Sequence, residues 1–332
     1  DPHRGGGPRT DDPLRPDAFG NNASYPGMTP RVYDPSDVIV PPWLPDTPAT
    51  RAEIAQYYQA VSRVDEGVGR LVQILKDAGQ YENTVIFYLS DNGPAFPGAK
   101  TTLYEPGMNL PLIVRDPSRK TGGVVSDALV SWVDLTPTIL DFAGVTTVLA
   151  PPRVQGDPED SPSARPDVPP ATPKKKPARA RAENVPYVFH GKSFRPVLDG
   201  EPREGWGEVY ASHTFHEITM YYPMRVVRTR RHKLILNLAH QLPYPFASDL
   251  FESATWQSAL RGGPDARYGK RLIKDYVQRP RYELYDLEND PDEVVNLAER
   301  PEHKALFESL AGKLKDFQKA TGDPWILKYD YE

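Results

Sequence analysis

Residues 81–107 read YENTVIFYLSDNGPAFPGAKTTLYEPG, and the reading of this stretch decides the fold. Val85-Ile86-Phe87-Tyr88-Leu89 is an unbroken run of β-branched, aromatic and aliphatic side chains, which predicts a buried strand over 84–89. The run stops at Ser90-Asp91-Asn92-Gly93, and Lys100 follows seven residues after Gly93. In open α/β sheets ligands bind beyond the carboxyl ends of the strands, so this end is a candidate site. Asp91 and Asn92 offer two hard oxygen donors, suited to Ca²⁺ or Mg²⁺ and poor for softer metals. Lys100 could place a positive charge on an anionic group. The same spacing also describes a polar β-turn, with Gly93 at positive φ and a solvated lysine.

Upstream, TPATRAEIAQYYQAVSRVDEGVGRLVQILKDAGQ (47–80) has helical periodicity in Ile54, Tyr57, Val61, Val64, Val68, Leu71 and Leu75. Thr50-x-x-Glu53 reads as its capping box and Gly79 as its C-terminal stop. Downstream, Leu110–Arg115 is the next strand expected, and SDALVSWVDLTPTILDFAGV (126–145) reads as a short strand followed by a helix near Asp134, with Pro137 in its first turn. Strands alternating with helices predict an α/β layered domain with a mostly parallel sheet.

Further along, residues 149–184 are dominated by Pro, Ala and charge, including Lys174-Lys175-Lys176. Such a tract cannot bury enough apolar surface to fold and reads as a disordered insertion open to protease. Beyond it, GKSFRPVLDGE suggests a short helix. EVYASHTF, MRVVRTRRHKLILNL and RYELYDLEND read as strands of an antiparallel sheet. PEHKALFESLAGKLKDFQKATG reads as an amphipathic helix through Leu306, Leu310, Leu314 and Phe317. The expected division is residues 1–148 in a large α/β domain, 149–184 as insertion, and 185–332 as the rest of that domain plus a smaller C-terminal α+β subdomain.

Bulk properties narrow the function. The 332 residues are 26% charged and 39% hydrophobic, as in a globular soluble chain, and the net charge of -5 gives no electrostatic case for nucleic acid. No apolar stretch approaches the ~18 residues of a membrane span. The absence of cysteine excludes disulfides, thiolate metal sites and a cysteine nucleophile within the chain. DPHRGGGPRTDDPLRPDAFG at the start has no initiator Met and none of the regions of a signal peptide. It opens inside a motif, so the chain is expected to be a piece of a longer protein.

Two further groups of polar residues stand out. His3 in DPHR is a candidate general acid or anion donor. SHTFHEITMYYPMR (212–225) brings His213, His216, Glu217 and Arg225 together as a candidate sugar-binding cluster, although histidines at strand ends often only cap backbone.

YYQAVSRVDEGVGRLVQILKDAGQYENTVIFYLSDNG, VSWVDLTPTILDFAGV and YELYDLENDPDEVVNLAERPE together resemble the sulfatase family of the alkaline-phosphatase-like superfamily. DPHR, FPGAKTTLYEPG and SHTFHEITMYYPMR are most similar to its heparan N-sulfatase (sulfamidase) branch. The resemblance spans nearly everything outside 149–184. It implies an alkaline-phosphatase-like α/β sheet layered with helices and a smaller antiparallel α+β domain. It implies a Ca²⁺-dependent hydrolase with a formylglycine nucleophile, acting on a sulfated glycosaminoglycan or amino sugar such as N-sulfoglucosamine. It implies Asp91 and Asn92 as Ca²⁺ ligands, Lys100 on the sulfate and His3 as an active-site histidine that protonates the leaving amine. His216, Glu217 and Arg225 then fall to the substrate, together with Lys100. An exported protein is expected, and a homodimer fits the type.

The departures are specific. The family's nucleophile motif, Cys or Ser followed by x-Pro-x-Arg, is absent from residues 1–332, as are the paired aspartates that complete its metal site. Alone, the chain is therefore expected to be inactive. Two alternatives stay open: an O-sulfate or phosphoester hydrolase of the same superfamily, and a non-catalytic relative that binds sulfated glycans.

Overall fold

The computed structural model describes residues 19–21, 26–145, 148–149, 188–217 and 220–329. His3 and the 149–184 tract beyond Leu149 lie outside the described residues. In chain order the elements are α1 (Pro48–Asp77), β1 (Ile86–Leu89), α2 (Glu105–Met108), β2 (Leu112–Arg115), α3 (Leu135–Phe142), β3 (Val148–Leu149) and β4 (Val188–Phe189). There follow β5 (Glu208–His216), β6 (Met220–Thr229), β7 (His232–Asn237), α4 (Ser248–Phe251), α5 (Ala254–Leu260), β8 (Arg267–Tyr268), β9 (Arg271–Leu272), α6 (Ile273–Val277), β10 (Tyr282–Asp286) and α7 (Lys304–Thr321). The chain divides into two units, Asp1–Val125 with Gly207–Leu314, and Ser126–Trp206 with Lys315–Glu332.

In the first unit α1 starts earlier than its sequence suggests. Thr47 is the cap, its Oγ1 accepting from the Thr50 N–H at 3.2 Å, and Pro48 takes the first helical position. The proline ring fixes a helical φ where no donor is needed, which moves the start upstream of the expected Thr50 cap. Glu53, released from capping its own helix, is buried and serves another. Its carboxylate accepts from the N–H groups of Ala254 and Thr255 at 2.9 and 3.0 Å, at the start of α5. Gly79, at φ +65°, ends α1 as expected.

β1 and β2 pair antiparallel, from Ile86 opposite Arg115 to Leu89 opposite Leu112. That differs from the mostly parallel sheet expected. A parallel pair needs a crossover, usually a full helix, to return the chain. Here the connection holds only the four-residue α2, and the rest runs as a strap with Ala95–Lys100 and Thr102–Tyr104 buried.

The antiparallel sheet of the second half forms as expected, in the order β10-β7-β6-β5. MRVVRTRRHKLILNL is a hairpin, β6 and β7 turning at Arg230-Arg231. Met224, Val226, Val227, Leu234, Ile235 and Leu236 are all at most 1% exposed, so both faces of the central strands are covered. Each such side chain stabilises by roughly 1.5–3 kcal/mol relative to its exposed state. Behind this sheet Trp256 lies 5.7 Å from Tyr276 and 4.5 Å from Phe246, ring centroid to centroid. In α7 Leu310 and Leu314 are buried as expected, while Phe317 is 38% exposed and Gln318 takes the inward position four residues beyond Leu314.

The second unit contains α3, introduced by a capping box of Ser131 and Asp134 on the preceding turn. The Asp134 carboxylate accepts from the N–H of Ser131 and of Lys192, both at 2.9 Å. Burial pushes the Asp134 carboxyl above its ordinary value against these bonds. The strand expected within 126–131 does not form; one ladder-like bond, Leu129 N–H to the Trp206 carbonyl, runs there. GKSFRPVLDGE makes a 3₁₀ turn at Arg195–Asp199, closed by Gly200 at φ +82°.

Candidate functional site

β1 delivers Ser90-Asp91-Asn92-Gly93 at its carboxyl end. Ser90 Oγ donates to the Asn92 carbonyl at 2.7 Å, and the Asn92 N–H donates to Asp91 Oδ1 at 3.0 Å, which makes a compact turn. Asp91 is exposed and Asn92 half-buried. The Asn92 carboxamide and Asp91 Oδ2 bond to nothing among the described residues. Gly93 is not at positive φ: a Cβ there would lie 2.2 Å from the Pro106 carbonyl oxygen, so close approach of the strap is what demands glycine.

Two adjacent hard oxygens left unengaged fit part of a divalent-cation site. Ca²⁺ takes six to eight oxygens, and among the described residues no group of three or more His, Asp or Glu assembles to complete one. The two oxygens present are at most a third of such a ligand set.

The strap that follows is anchored on both sides of Lys100. The Gly98 N–H donates to the Tyr276 hydroxyl at 2.7 Å, and the Tyr244 hydroxyl donates to the Thr101 carbonyl at 2.9 Å. Between them Thr101 is held at φ +67°, a left-handed conformation that costs a β-branched residue about 1–3 kcal/mol. Lys100 itself is 3% exposed, and its Nζ donates to Asp249 Oδ2 at 3.0 Å. It is not the solvated lysine of a surface turn.

Beyond Lys100 the strap is tied to the sheet through charge. Lys233 Nζ, fully buried on β7, lies 2.7 Å from Glu105 and 2.8 Å from Glu293, and donates to the Leu103 carbonyl at 3.1 Å. Arg228 on β6 pairs with Glu105 at 3.0 Å, and the Tyr104 hydroxyl donates to Glu283 on β10 at 2.8 Å. Burial alone would raise the Glu105 carboxyl, but Lys233 and Arg228 outweigh it and hold it below the usual range. Burial likewise opposes, and the Arg279 and Arg271 charges prevail, at Glu283. At Glu293 burial wins and the carboxyl is pushed up.

The second predicted cluster separates into two parts. His216 Nε2 stands 3.9 Å from Glu217 Oε1, and Glu217, at φ +56°, accepts from the N–H and Oγ of Ser248 at 3.2 and 3.0 Å. Ser248 precedes Asp249 in α4. The sequence-predicted Glu217 and Lys100 are thus joined through two residues that no sequence pattern singled out. Arg225 points elsewhere: 7% exposed, it donates to the carbonyls of Met224 and His213 at 2.8 and 3.3 Å. His213 is drawn inward too, its Nδ1 3.2 Å from the Tyr222 carbonyl. Burial lowers its pKa, and since a carbonyl only accepts, Nδ1 carries the proton of the neutral ring.

The structure therefore joins Lys100, Asp249, Ser248, Glu217 and His216 into one chain of contacts. Asp91 and Asn92 stand at the other end of the same strap, and no direct contact among the described residues links them to Lys100. Asp249 was hidden because its partner lies 149 positions away, although an acidic residue opening a short helix is a visible local signal.

Comparison with known proteins places the chain. Residues 16–145 match the Sulfatase family model. The chain is 38% identical over 339 residues to the N-sulphoglucosamine sulphohydrolase of Homo sapiens, covering 99% of this chain and 61% of that protein. It is 35% identical to an endo-4-O-sulfatase of Bacteroides thetaiotaomicron, over 84% of this chain and 44% of the relative. Among solved structures, a 2-O GAG sulfatase superposes with a TM-score of 0.53 at 18% identity, covering 92% of this chain and 57% of the other. The structure of BT4656 in complex with its substrate D-glucosamine-2-N,6-O-disulfate superposes at 0.51 with 22% identity, covering 85% and 44%. The chain thus spans between two fifths and about three fifths of the length of these relatives. Residues 16–145 thus match the Sulfatase family, and along nearly its whole length the chain is similar to one sulfohydrolase.

Proposed function

We propose that this chain forms part of a hydrolase that releases sulfate from a sulfated glycan, with the N-sulfate of glucosamine in heparan-type chains as its substrate class. The observation that carries the proposal is the 38% identity to a sulfohydrolase of N-sulfoglucosamine along 99% of the chain. Asp91 and Asn92 would contribute two oxygens to a divalent cation, calcium on the resemblance. When bound, that cation supplies charge stabilisation to oxygens that become more negative as the sulfuryl bond breaks.

The chain's own residues do the rest of what can be assigned to it. Lys100 holds its ammonium at a fixed point on the strap, paired with Asp249, and would share it with the sulfate. His216, half-buried, would face sugar hydroxyls, while Glu217 has Oε2 engaged by Ser248 and Oε1 beside His216. Arg225 is instead committed to main-chain carbonyls, so its assignment to substrate finds no support in its contacts. His3, outside the described residues, is assigned as proton donor on the resemblance alone. The formylglycine is assigned to no residue of this chain, since the motif that makes it does not occur here.

The test is sulfate release by the sulfatase that carries this chain, measured with calcium on N-sulfoglucosamine, 6-O-sulfoglucosamine, an aryl sulfate and a phosphonate monoester. Release fastest from N-sulfoglucosamine, abolished by chelator, is expected. Faster turnover of an O-sulfate or phosphonate overturns the substrate class, and tight glycan binding without turnover overturns the hydrolase.

A further inference from the structure

We propose that Asp249 is the positioning residue for Lys100, and that Glu217 sets Asp249 in place by clamping Ser248, so that Glu217–Ser248–Asp249–Lys100 acts as one aiming device. The inference rests on the reading above, in which Lys100 meets the sulfate.

Each link is a recorded contact. Glu217 Oε2 accepts twice from Ser248, from its N–H at 3.2 Å and its hydroxyl at 3.0 Å. Asp249, the next residue, has both carboxylate oxygens occupied: Oδ1 accepts from the Leu250 N–H at 2.9 Å and Oδ2 from Lys100 Nζ at 3.0 Å. Bonds at both oxygens fix the plane of the carboxylate, and so the direction from which the ammonium is held. The pair is nearly dry, with side chains 4% and 9% exposed. A flexible four-carbon lysine stem otherwise samples many rotamers, and holding it in one spares that cost when an anion arrives.

Backbone geometry agrees from both ends. Thr101, beside Lys100, and Glu217 are two of the three non-glycine residues at positive φ among the described residues, at +67° and +56°. Strain of this kind persists where the surroundings over-determine it, and it concentrates at functional sites. Here it brackets the chain of contacts. Phe246, Leu250 and Trp256 support the same segment from the core, with Leu250 1% exposed. An alternative role, Asp249 binding substrate hydroxyls directly, is disfavoured because both of its oxygens already carry bonds.

The test uses the chain itself, with two readouts. The first is the rate at which Lys100 takes up acetyl from acetic anhydride, read by peptide mass spectrometry against exposed Lys120. The second is the affinity for inorganic sulfate in calcium, by calorimetric titration. Asp249→Asn should raise relative labelling of Lys100 on the order of tenfold, the factor by which a charge-assisted hydrogen bond holds its donor, and should weaken sulfate. Asp249→Glu should restore both in part, which a purely structural role would not require. Glu217→Gln acts from the exposed end and leaves the core filled; it should raise labelling by a smaller factor. Unchanged Lys100 labelling in Glu217→Gln, or in a folded Asp249→Asn, overturns the device. Sulfate affinity lost in Lys100→Met but intact in Asp249→Asn overturns the positioning role while sparing the role of Lys100. Sulfate affinity untouched by Lys100→Met overturns the underlying reading.

Discussion

Lys100 is where the chemistry of a single side chain weighs most. Lys100→Met in the sulfatase that carries this chain should lower kcat/KM for sulfate release by about 10²–10³-fold, the usual cost of removing one preorganised electrostatic group. Arg225→Met, by contrast, should act through folding rather than turnover, because its guanidinium serves two main-chain carbonyls; a thermal-unfolding midpoint that falls while KM holds is the expected pattern. At the strand end, Asp91→Asn removes the only formal charge of the two-oxygen donor pair. Calcium affinity, titrated on the chain, should drop in Asp91→Asn and should be unaffected by Asp37→Asn, an exposed carboxylate of a different loop.

Among the elements, the strap between β1 and β2 is held by packing that leaves no slack. Gly93→Ala sets a methyl 2.2 Å from the Pro106 carbonyl oxygen. It should cost about 1–3 kcal/mol, the range for forcing extra volume into a packed site, measurable as a lower urea midpoint. Gly122→Ala, with no atom within 4 Å of its Cβ, is the control and should change nothing. The start of α1 gives a second check. Thr47→Ala deletes the oxygen that accepts from the Thr50 N–H and should cost ~1 kcal/mol. Glu53→Gln should cost more, since its carboxylate accepts from two N–H groups of α5 and from the Thr255 hydroxyl at 2.5 Å.

Across the whole first unit, the buried charges set how stability follows pH. Glu105 and Glu283 have depressed pKa values when folded, so the stability they contribute is present above the ordinary carboxylate value of 4.5 and is lost as pH falls through their folded values. Glu293 runs the other way: its raised value adds stability below 4.5 that fades as pH rises through the folded value. Two carboxylates against one predict a net fall in the urea midpoint on acidification from pH 5 to about 3. Lys233→Met should weaken the part of that slope owed to Glu105 and leave the part owed to Glu283, which Arg279 and Arg271 hold down. It should also destabilise by about 3–5 kcal/mol near neutrality, because Glu105 and Glu293 are left buried without their shared cation. A midpoint insensitive to acid in the wild-type chain would refute the assignment of stability to this network.

Much was legible because periodicity and strand-end chemistry are local. The helix over 48–77, the strand at 86–89, the antiparallel strands from 208 onward and the polar turn at 90–93 follow from patterns within a few residues of each other. The parallel sheet expected around β1 was wrong because pairing direction depends on where the connecting segment goes, and the strap spends its length in the core instead of crossing over. Phe317 and Gln318 exchange faces for a related reason: periodicity predicts a stripe, but which side it meets depends on what packs there. The sequence by itself determined the sulfatase-like elements and offered Lys100 as a cation in the loop after β1. Only the tertiary structure decided that this cation is buried against Asp249 and tied to Glu217, since an ion pair spanning 149 residues exists only once burial has lowered the dielectric around both partners.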